Sequence, residues 1–474
     1  MRHEKLILAG KQTQGTGILS VRSPFDGATV AEVAQAGPDH LLQAIHQAAN
    51  AKQVLANMPA HQRAGILDRT AFLLAAAKEE FAKLIVEEAG KPLTLARFEV
   101  DRCVETLTEC ARQARSWHGK LLELGTFPSG EGRWGLVKRV PIGVVVAITP
   151  FNFPLNLVAH KLGPAVAAGC PIILKPASQT PSPALKLGQT LLQAGLPPQS
   201  LSVVPCSGSH ALPLVEAPEV RLLTFTGSAT VGWELKRRAW DKRVTLELGG
   251  NAAVVVEPDA GDFAQVAQRI ASGAFAYAGQ SCISVQRILV ARACYSSFRD
   301  TLVAACERFP TGDPNESSTL CGPMISEGDA NRIQTWVGTA AQAGARLLTS
   351  WRREGNLVWP QLLEDVPHNH PLWSEEAFAP VAVLQPYETF QEALALVNAS
   401  RFGLQCGIFT QDVGKLQKAW AALEVGAVIA GDIPSWRTDP MPYGGVKQSG
   451  FGREGPGWAM DEMTELRLLV LREN

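Results

Sequence analysis

Across the first 115 residues apolar positions recur at spacings of three and four, through segments 38–57, 61–89 and 92–115, as in Leu41, Ile45 and Ala48. That pattern predicts amphipathic helices separated by polar breaks. The Gly/Pro-containing stretch GTFPSGEGRWG then divides segment 121–124 from 136–140, which predicts an excursion by two extended segments. Beyond it the texture changes to short apolar runs at 142–148, 171–174, 201–204, 222–225 and 244–246, with helical stretches at 156–168 and 182–194 between the first three.

Apolar runs about thirty residues apart with a helix between them are βαβ units, whose parallel strands are continuously apolar because helices cover both faces. Residues 1–246, less the excursion, therefore read as a doubly wound α/β dinucleotide-fold domain. A second α/β series follows, with strands at 252–256, 287–290, near 381–384 and at 407–409, and helices at 262–277, 296–308, 389–399 and 412–422. It reads as a second domain of similar class. No internal repeat or low-complexity segment interrupts the chain.

Composition agrees with a large folded core. Of 474 residues 46% are apolar and 19% charged, too little charge for disorder, and at roughly 150 residues per domain the length suits two or three domains. Lys and Arg total 44 against 45 Asp and Glu, so overall charge favours neither nucleic acid nor an anionic membrane surface as a partner. The apolar stretch at 6–9 is too short for a secretory signal, and no run is long enough to span a bilayer. Nine cysteines are scattered along the chain without CxxC pairs or Cys/His clusters at metal-ligand spacing. That is reduced, cytoplasmic usage, with no metal site expected and most thiols inert in the core.

Five places carry chemistry, each with a plainer alternative. Gly227 ends the run ThrPheThrGlySer (224–228) and opens a helical stretch, which puts free N–H groups and a helix dipole where a pyrophosphate can sit. Its spacing to Gly232 is not that of G-x-G-x-x-G, and an ordinary β–α turn reads the same. Lys175 closes the strand ProIleIleLeuLys, where ligands bind in open α/β sheets, or is a solvated strand-end lysine. Cys282, in AlaGlyGlnSerCysIleSer, has small or polar neighbours ahead of it; its thiolate would add to a carbonyl carbon, or the residue simply packs. Glu247 lies in an apolar run before a double glycine. Burial would raise its pKa toward that of a general base, unless backbone N–H groups hold it as a structural carboxylate. Asn152, fixed between aromatics and prolines in ThrProPheAsnPhePro, is placed to donate to a developing oxyanion, or is a turn residue.

In order, TPFNFP, KPA, FTGS, LELGGN, GQSC, EEAFAP and PYGGVKQSGFGREG across residues 149–455 resemble, motif by motif, the NAD(P)-dependent aldehyde dehydrogenase superfamily. The resemblance covers nearly the whole chain. It implies an aldehyde dehydrogenase-like α/β fold of two doubly wound domains plus a small β oligomerisation arm. The dinucleotide-binding domain would take 1–115 and 141–246, the catalytic domain 247–440, and the arm 116–140 and 465–474, with 441–464 returning to the cofactor domain. Cys282 would attack an aldehyde to give a thiohemiacetal and then a thioester, Asn152 and the Cys282 N–H would stabilise the oxyanion, and Glu247 would activate the hydrolytic water. For NAD or NADP, the resemblance assigns Lys175 to the adenosine ribose, Gly227 and Ser228 to the pyrophosphate and Val231 to the adenine. Glu376 would hold the nicotinamide ribose, with Phe378 against the ring. Ile148, Thr149, Pro150, Phe151, Ala177, Ser178, Gly208, Phe225, Leu248 and Gly249 complete the implied cofactor-binding set.

Three positions depart from the family pattern. Ser178 stands where many NAD-preferring members carry an acidic residue, so NADP is permitted without being required. Ala379 replaces a usual Gly, and Phe151 replaces the commoner Trp beside the Asn. Segment 432–447 resembles the branch that oxidises lactaldehyde, phosphonoacetaldehyde and, without phosphorylation, glyceraldehyde phosphate. There Arg437, His160 and Arg102 would form a cationic mouth for a small anionic aldehyde, or are surface arginines and a helix-face histidine. A coenzyme-A-acylating dehydrogenase is a sibling alternative, which Glu247 argues against; a thiol esterase or a non-catalytic scaffold is a different class. The apolar edges of the arm imply a homodimer or homotetramer.

Overall fold

A computed structural model describes residues 1–473; Asn474, the last residue of the expected arm, lies outside the described residues. The apolar runs of the first half form five parallel strands, in the spatial order Arg243–Glu247, Val220–Thr226, Val144–Ile148, Ile172–Lys175, Leu201–Val203. The helices Asn156–Ala168 and Ser182–Gln193 connect the first three of these in sequence. From Val144–Ile148 the chain winds outward in one direction, then returns to start Val220–Thr226 on the other side. Strand order reverses between these two strands, and a crevice beyond the carboxyl ends at such a reversal is where open α/β sheets bind ligands. Residues 149–152 and 227–228 follow directly from the two strands, so both segments meet that crevice.

Residues 248–251 carry the chain from the end of Arg243–Glu247 into Ala252–Val256, which belongs to a second sheet. Its order is Arg346–Leu347, Gln361–Glu364, Val381–Tyr387, Val285–Ala291, Ala252–Val256, Gln405–Phe409, Ala427–Ala430, parallel except at Arg346–Leu347. The carboxyl edge of the first sheet thus faces the amino edge of the second. Gly450–Phe451 comes back to pair antiparallel with Arg243–Glu247. Apart from both sheets, Thr464–Arg472 pairs along its whole length with Arg133–Pro141, which pairs on its other side with Lys120–Glu123.

Two parts of the first 115 residues differ from the periodicity reading. Segment 61–89 is two helices, Ala60–Ala76 and Lys78–Ala89, broken at Ala77 with no Gly or Pro to mark the break. The first 35 residues are not helical but supply the strands Arg2–Glu4, Leu6–Leu8, Lys11–Thr13, Gly17–Arg22 and Thr29–Gln35. Strands as short as Leu6–Leu8 show no period, and this one is fixed by burial beside Leu201–Val203. Among the described residues no helix is long and apolar enough to cross a membrane.

Candidate active site

The helix Phe263–Phe275 runs into a tight turn, Ala276–Gly279, in which Tyr277 (φ 52°) and Ala278 (φ 53°) both occupy the left-handed region. That conformation costs about 1–2 kcal/mol at each non-glycine residue. It is held by the Tyr277 hydroxyl donating to the Ala89 carbonyl at 3.2 Å and the Tyr277 N–H donating to the Leu320 carbonyl at 2.8 Å. The kink stops the helix and delivers residues 281–283 to the crevice ahead of Val285–Ala291. All nine cysteines are free; eight are buried, and Cys282 is the one partly exposed. Its Sγ lies 3.0 Å from the Tyr443 hydroxyl oxygen. Burial, reinforced by Glu376 and Glu247, pushes this thiol up to about 12, against the lowering influence of Tyr443 and Arg437.

From the loop after Val144–Ile148, Asn152 Nδ2 donates to the Gln280 carbonyl at 2.9 Å, which leaves its second amide N–H free to serve an incoming group. A buried pair braces the same loop. Glu99 accepts from the N–H groups of Leu155 (2.9 Å) and Asn156 (3.1 Å) and pairs with Lys91, whose ammonium sits 3.7 Å from the centre of the Phe153 ring. Glu247 ends its strand 3% exposed, and neither carboxylate oxygen has a hydrogen-bond partner. The backbone-satisfied carboxylate that the sequence left open is therefore not what forms. Burial raises the Glu247 pKa to about 8, with Lys161, Arg437 and Arg453 opposing.

The three residues of the expected cationic mouth come together, but with unequal freedom. Arg102 donates to the Arg437 carbonyl at 3.0 Å and is neutralised by an ion pair with Asp439. His160 is fully buried, and desolvation, with Arg437, Arg102 and Lys161 beside it, holds its pKa well below the usual value. An Nη of Arg437 lies 3.3 Å from His160 Nε2, its Nε has no partner, and its guanidinium carbon stands 3.8 Å from the centre of the Tyr443 ring. Arg437 is the cation of the three left available.

The expected cofactor positions are distributed along adjoining strand ends. Ile148, Thr149, Pro150 and Phe151 lead out of one strand; Lys175, Ala177 and Ser178 lie at and beyond the end of its neighbour; Phe225, Gly227 and Ser228 lie at the strand across the reversal. Ser228 caps the helix Ala229–Arg238 by accepting from Val231 N–H at 3.4 Å, and Val231 itself is exposed. Leu248 is buried against Gly232, while Gly208 is exposed at the start of a short turn. From the opposite wall Glu376 accepts from Gly250 N–H at 2.8 Å and Phe378 meets Phe151 edge-on, with centroids 5.9 Å apart.

Open hydrogen-bonding capacity collects here. The buried Thr149 and Thr226 hydroxyls have no partner, and buried Lys175 reaches only the adjacent Pro176 carbonyl, at 3.2 Å. A Cβ on Gly249 would run into the Glu376 carboxylate. Unspent donors and a helix N-terminus fit a ligand bearing phosphates and ribose hydroxyls, so the residues present suit NAD(P). Among the described residues no group of three or more His, Cys, Asp or Glu is disposed to hold a metal ion.

Sequence reasoning passed over Tyr443, Asp439 and the buried Lys161–Glu454 ion pair. A signal existed for one of them: Lys161 is a charge within Asn156–Ala168, a helix whose every residue is buried.

Comparison with known proteins agrees with this arrangement. Residues 11–469 match the aldehyde dehydrogenase family. Aspartate-semialdehyde dehydrogenase 1 of Pseudomonas canavaninivorans is 42% identical over 456 residues, covering 96% of this chain and 96% of that protein. The crystal structure of aldehyde dehydrogenase 21 from Physcomitrella patens, in complex with the reaction product succinate, matches with a TM-score of 0.98 at 40% identity, covering 100% of this chain and 98% of that one. NADP-dependent glyceraldehyde-3-phosphate dehydrogenase from Bacillus halodurans C-125, complexed with NADP, matches with a TM-score of 0.97 at 33% identity over 100% of both chains. A family match across nearly the full length, on a fold whose switch-point crevice gathers a thiol, an amide and a carboxylate, makes this chain a member of the aldehyde dehydrogenase family.

Proposed function

We propose that this protein oxidises a small anionic aldehyde to the carboxylic acid with NAD(P), through a covalent intermediate on Cys282. The observation that carries the reading is the run of contacts from the Arg437 guanidinium across the Tyr443 ring to the Cys282 sulfur, which sets an unneutralised cation beside a partly exposed thiol. In this reading the Cys282 thiolate adds to the aldehyde carbon. The carbonyl π pair moves to oxygen, where the free N–H of Asn152 and the Cys282 backbone N–H take up the charge. Collapse of this thiohemiacetal expels hydride and leaves a thioester. The nicotinamide ring of NAD(P), when bound, supplies the hydride acceptor. Glu247 then takes a proton from water as the water oxygen bonds to the thioester carbon, and cleavage of the C–S bond returns the thiolate and releases the acid.

An anionic substrate also suits the relatives named above: an aspartate-semialdehyde dehydrogenase, an aldehyde dehydrogenase bound to its product succinate, and a glyceraldehyde-3-phosphate dehydrogenase. Ser178, which donates to the Cys206 carbonyl at 3.4 Å, puts no carboxylate where a 2′-phosphate would lie, so NAD or NADP is accommodated. Exposed Leu466, Leu468 and Leu469 on the edge strand Thr464–Arg472 support self-association as a homodimer or homotetramer. A panel of neutral and anionic small aldehydes, run with each cofactor, tests the function. Reduced cofactor should appear, with the highest kcat/KM on anionic aldehydes. Equal rates on neutral and anionic substrates, unchanged in Arg437→Met, would remove the anion site from the reading.

A further inference from the structure

The reaction steps above leave one group at the sulfur unused. Tyr443 is 4% exposed, its hydroxyl oxygen is 3.0 Å from Cys282 Sγ, and no other side chain hydrogen-bonds that sulfur among the described residues. The ring is not free to swing away. Its backbone N–H donates to the Glu454 carbonyl at 2.9 Å, its carbonyl accepts from Glu454 N–H at 2.6 Å, and the Glu454 side chain is tied to buried Lys161. Arg437 covers the ring face with its guanidinium carbon 3.8 Å from the centre.

From this geometry we infer that Tyr443 is a further catalytic residue, whose hydroxyl donates to the Cys282 thiolate, stabilising it before attack on the aldehyde and again as the C–S bond of the thioester breaks. A neutral thiol and a phenol share a hydrogen bond in either direction; once the thiol proton has gone, only the phenol has a proton to give. The bond is then charge-assisted, and stronger than its neutral counterpart. Arg437 on the ring face draws electron density from the phenol and improves it as a donor. Asn152 makes no hydrogen bond to the sulfur: one of its amide N–H groups goes to the Gln280 carbonyl, and the other is the one assigned to the oxyanion. The charged groups facing the pair are Glu376, Glu247 and Arg437 at Cys282, and Glu247 and Arg437 at Tyr443; the carboxylates oppose ionisation of both and Arg437 favours it. Burial pushes the Tyr443 hydroxyl well above its ordinary range, so it keeps its proton where the thiol loses one.

The inference rests on Cys282 being the nucleophile, and a direct reading of the thiol separates the two claims. Alkylation of the full-length protein by iodoacetamide is followed against pH without cofactor or aldehyde, alongside steady-state oxidation. The reagent is neutral, so any affinity of Arg437 for anions does not enter. Cys282→Ala should lose the fast-reacting thiol, the other eight being buried. Tyr443→Phe should keep that thiol but be alkylated about ten-fold more slowly at any fixed pH below its inflection, the rate equivalent of about one pH unit. In turnover, kcat should fall with little change in KM. Site-specific 3-fluorotyrosine at position 443, a stronger donor of the same shape, should move the inflection down. Superimposable pH profiles for wild type, Tyr443→Phe and the fluorotyrosine protein, all with unchanged thermal midpoints, would overturn the role of Tyr443 while leaving Cys282 in place. Undiminished aldehyde oxidation by Cys282→Ala would overturn the nucleophile assignment and the Tyr443 role with it. Should Tyr443→Phe fail to fold, the fluorotyrosine shift decides alone.

Discussion

The side-chain amide of Asn152, carried by the first sheet, donates at 2.9 Å to the carbonyl of Gln280, which stands just ahead of Cys282 on the approach to the second. One hydrogen bond thus sets the distance between the proposed oxyanion donor and the nucleophile loop. Asn152→Ala should lower kcat by about 10²–10³-fold, the usual cost of losing one such donor. Steady-state kinetics check this. Asn152→Asp, which keeps the shape and loses the N–H, should not rescue the rate.

Glu247 should govern the pH dependence. Its carboxyl is raised from 4.5 to about 8 by burial, and a general base must be deprotonated, so hydrolysis of the thioester should accelerate as pH rises through about 8. Glu247→Gln should still give a single-turnover burst of reduced cofactor and lose the slower, pH-dependent phase. Stability carries the complementary sign. Between pH 4.5 and about 8 the folded protein holds a proton at Glu247 that the unfolded chain has released, so this group's contribution to stability is lost as pH rises through that window. The thermal midpoint of Glu247→Gln should therefore gain on that of wild type across the same range.

Arg437 should set substrate choice, because Arg102 is spent on Asp439 and His160 is kept neutral. Arg437→Met should cut kcat/KM for an anionic aldehyde by about 2 kcal/mol, roughly thirty-fold, the scale of a hydrogen bond to a charged group. A neutral aldehyde of the same length should lose only a few-fold. Comparing the two substrates on the same enzyme preparation gives the answer.

How far the sequence revealed all this depended on the range of the interactions involved. The parallel strands were legible because burial on both faces writes itself as an unbroken apolar run, as in Val144–Ile148 and Ala252–Val256. The helix break at Ala77 and the strand Leu6–Leu8 were not, since tertiary contacts fix them and no local residue marks them. Motifs located Cys282, Glu247 and Asn152 as candidates. They did not reveal that Asp439 would neutralise Arg102, or that Tyr443 would reach the Cys282 sulfur, because those partners lie 337 and 161 positions apart and meet only when the chain folds back.

The Lys91–Glu99 pair provides a stability test remote from the chemistry. Both members are buried, and Glu99 also holds the N–H groups of Leu155 and Asn156 on the Asn152 loop. Lys91→Met would leave a buried carboxylate unpaired and should destabilise the protein by about 3–5 kcal/mol. Denaturant titration reads that loss. Lys91→Met combined with Glu99→Gln should recover part of it, since no uncompensated charge then remains.

The covalent intermediate is most directly tested by mass. Glu247→Gln is mixed with aldehyde and cofactor, quenched after one turnover, digested and mapped. The expected result is an acyl adduct on the peptide containing Cys282, in proportion to the reduced cofactor formed. Reduced cofactor at full stoichiometry, with Cys282 unmodified, would contradict the mechanism.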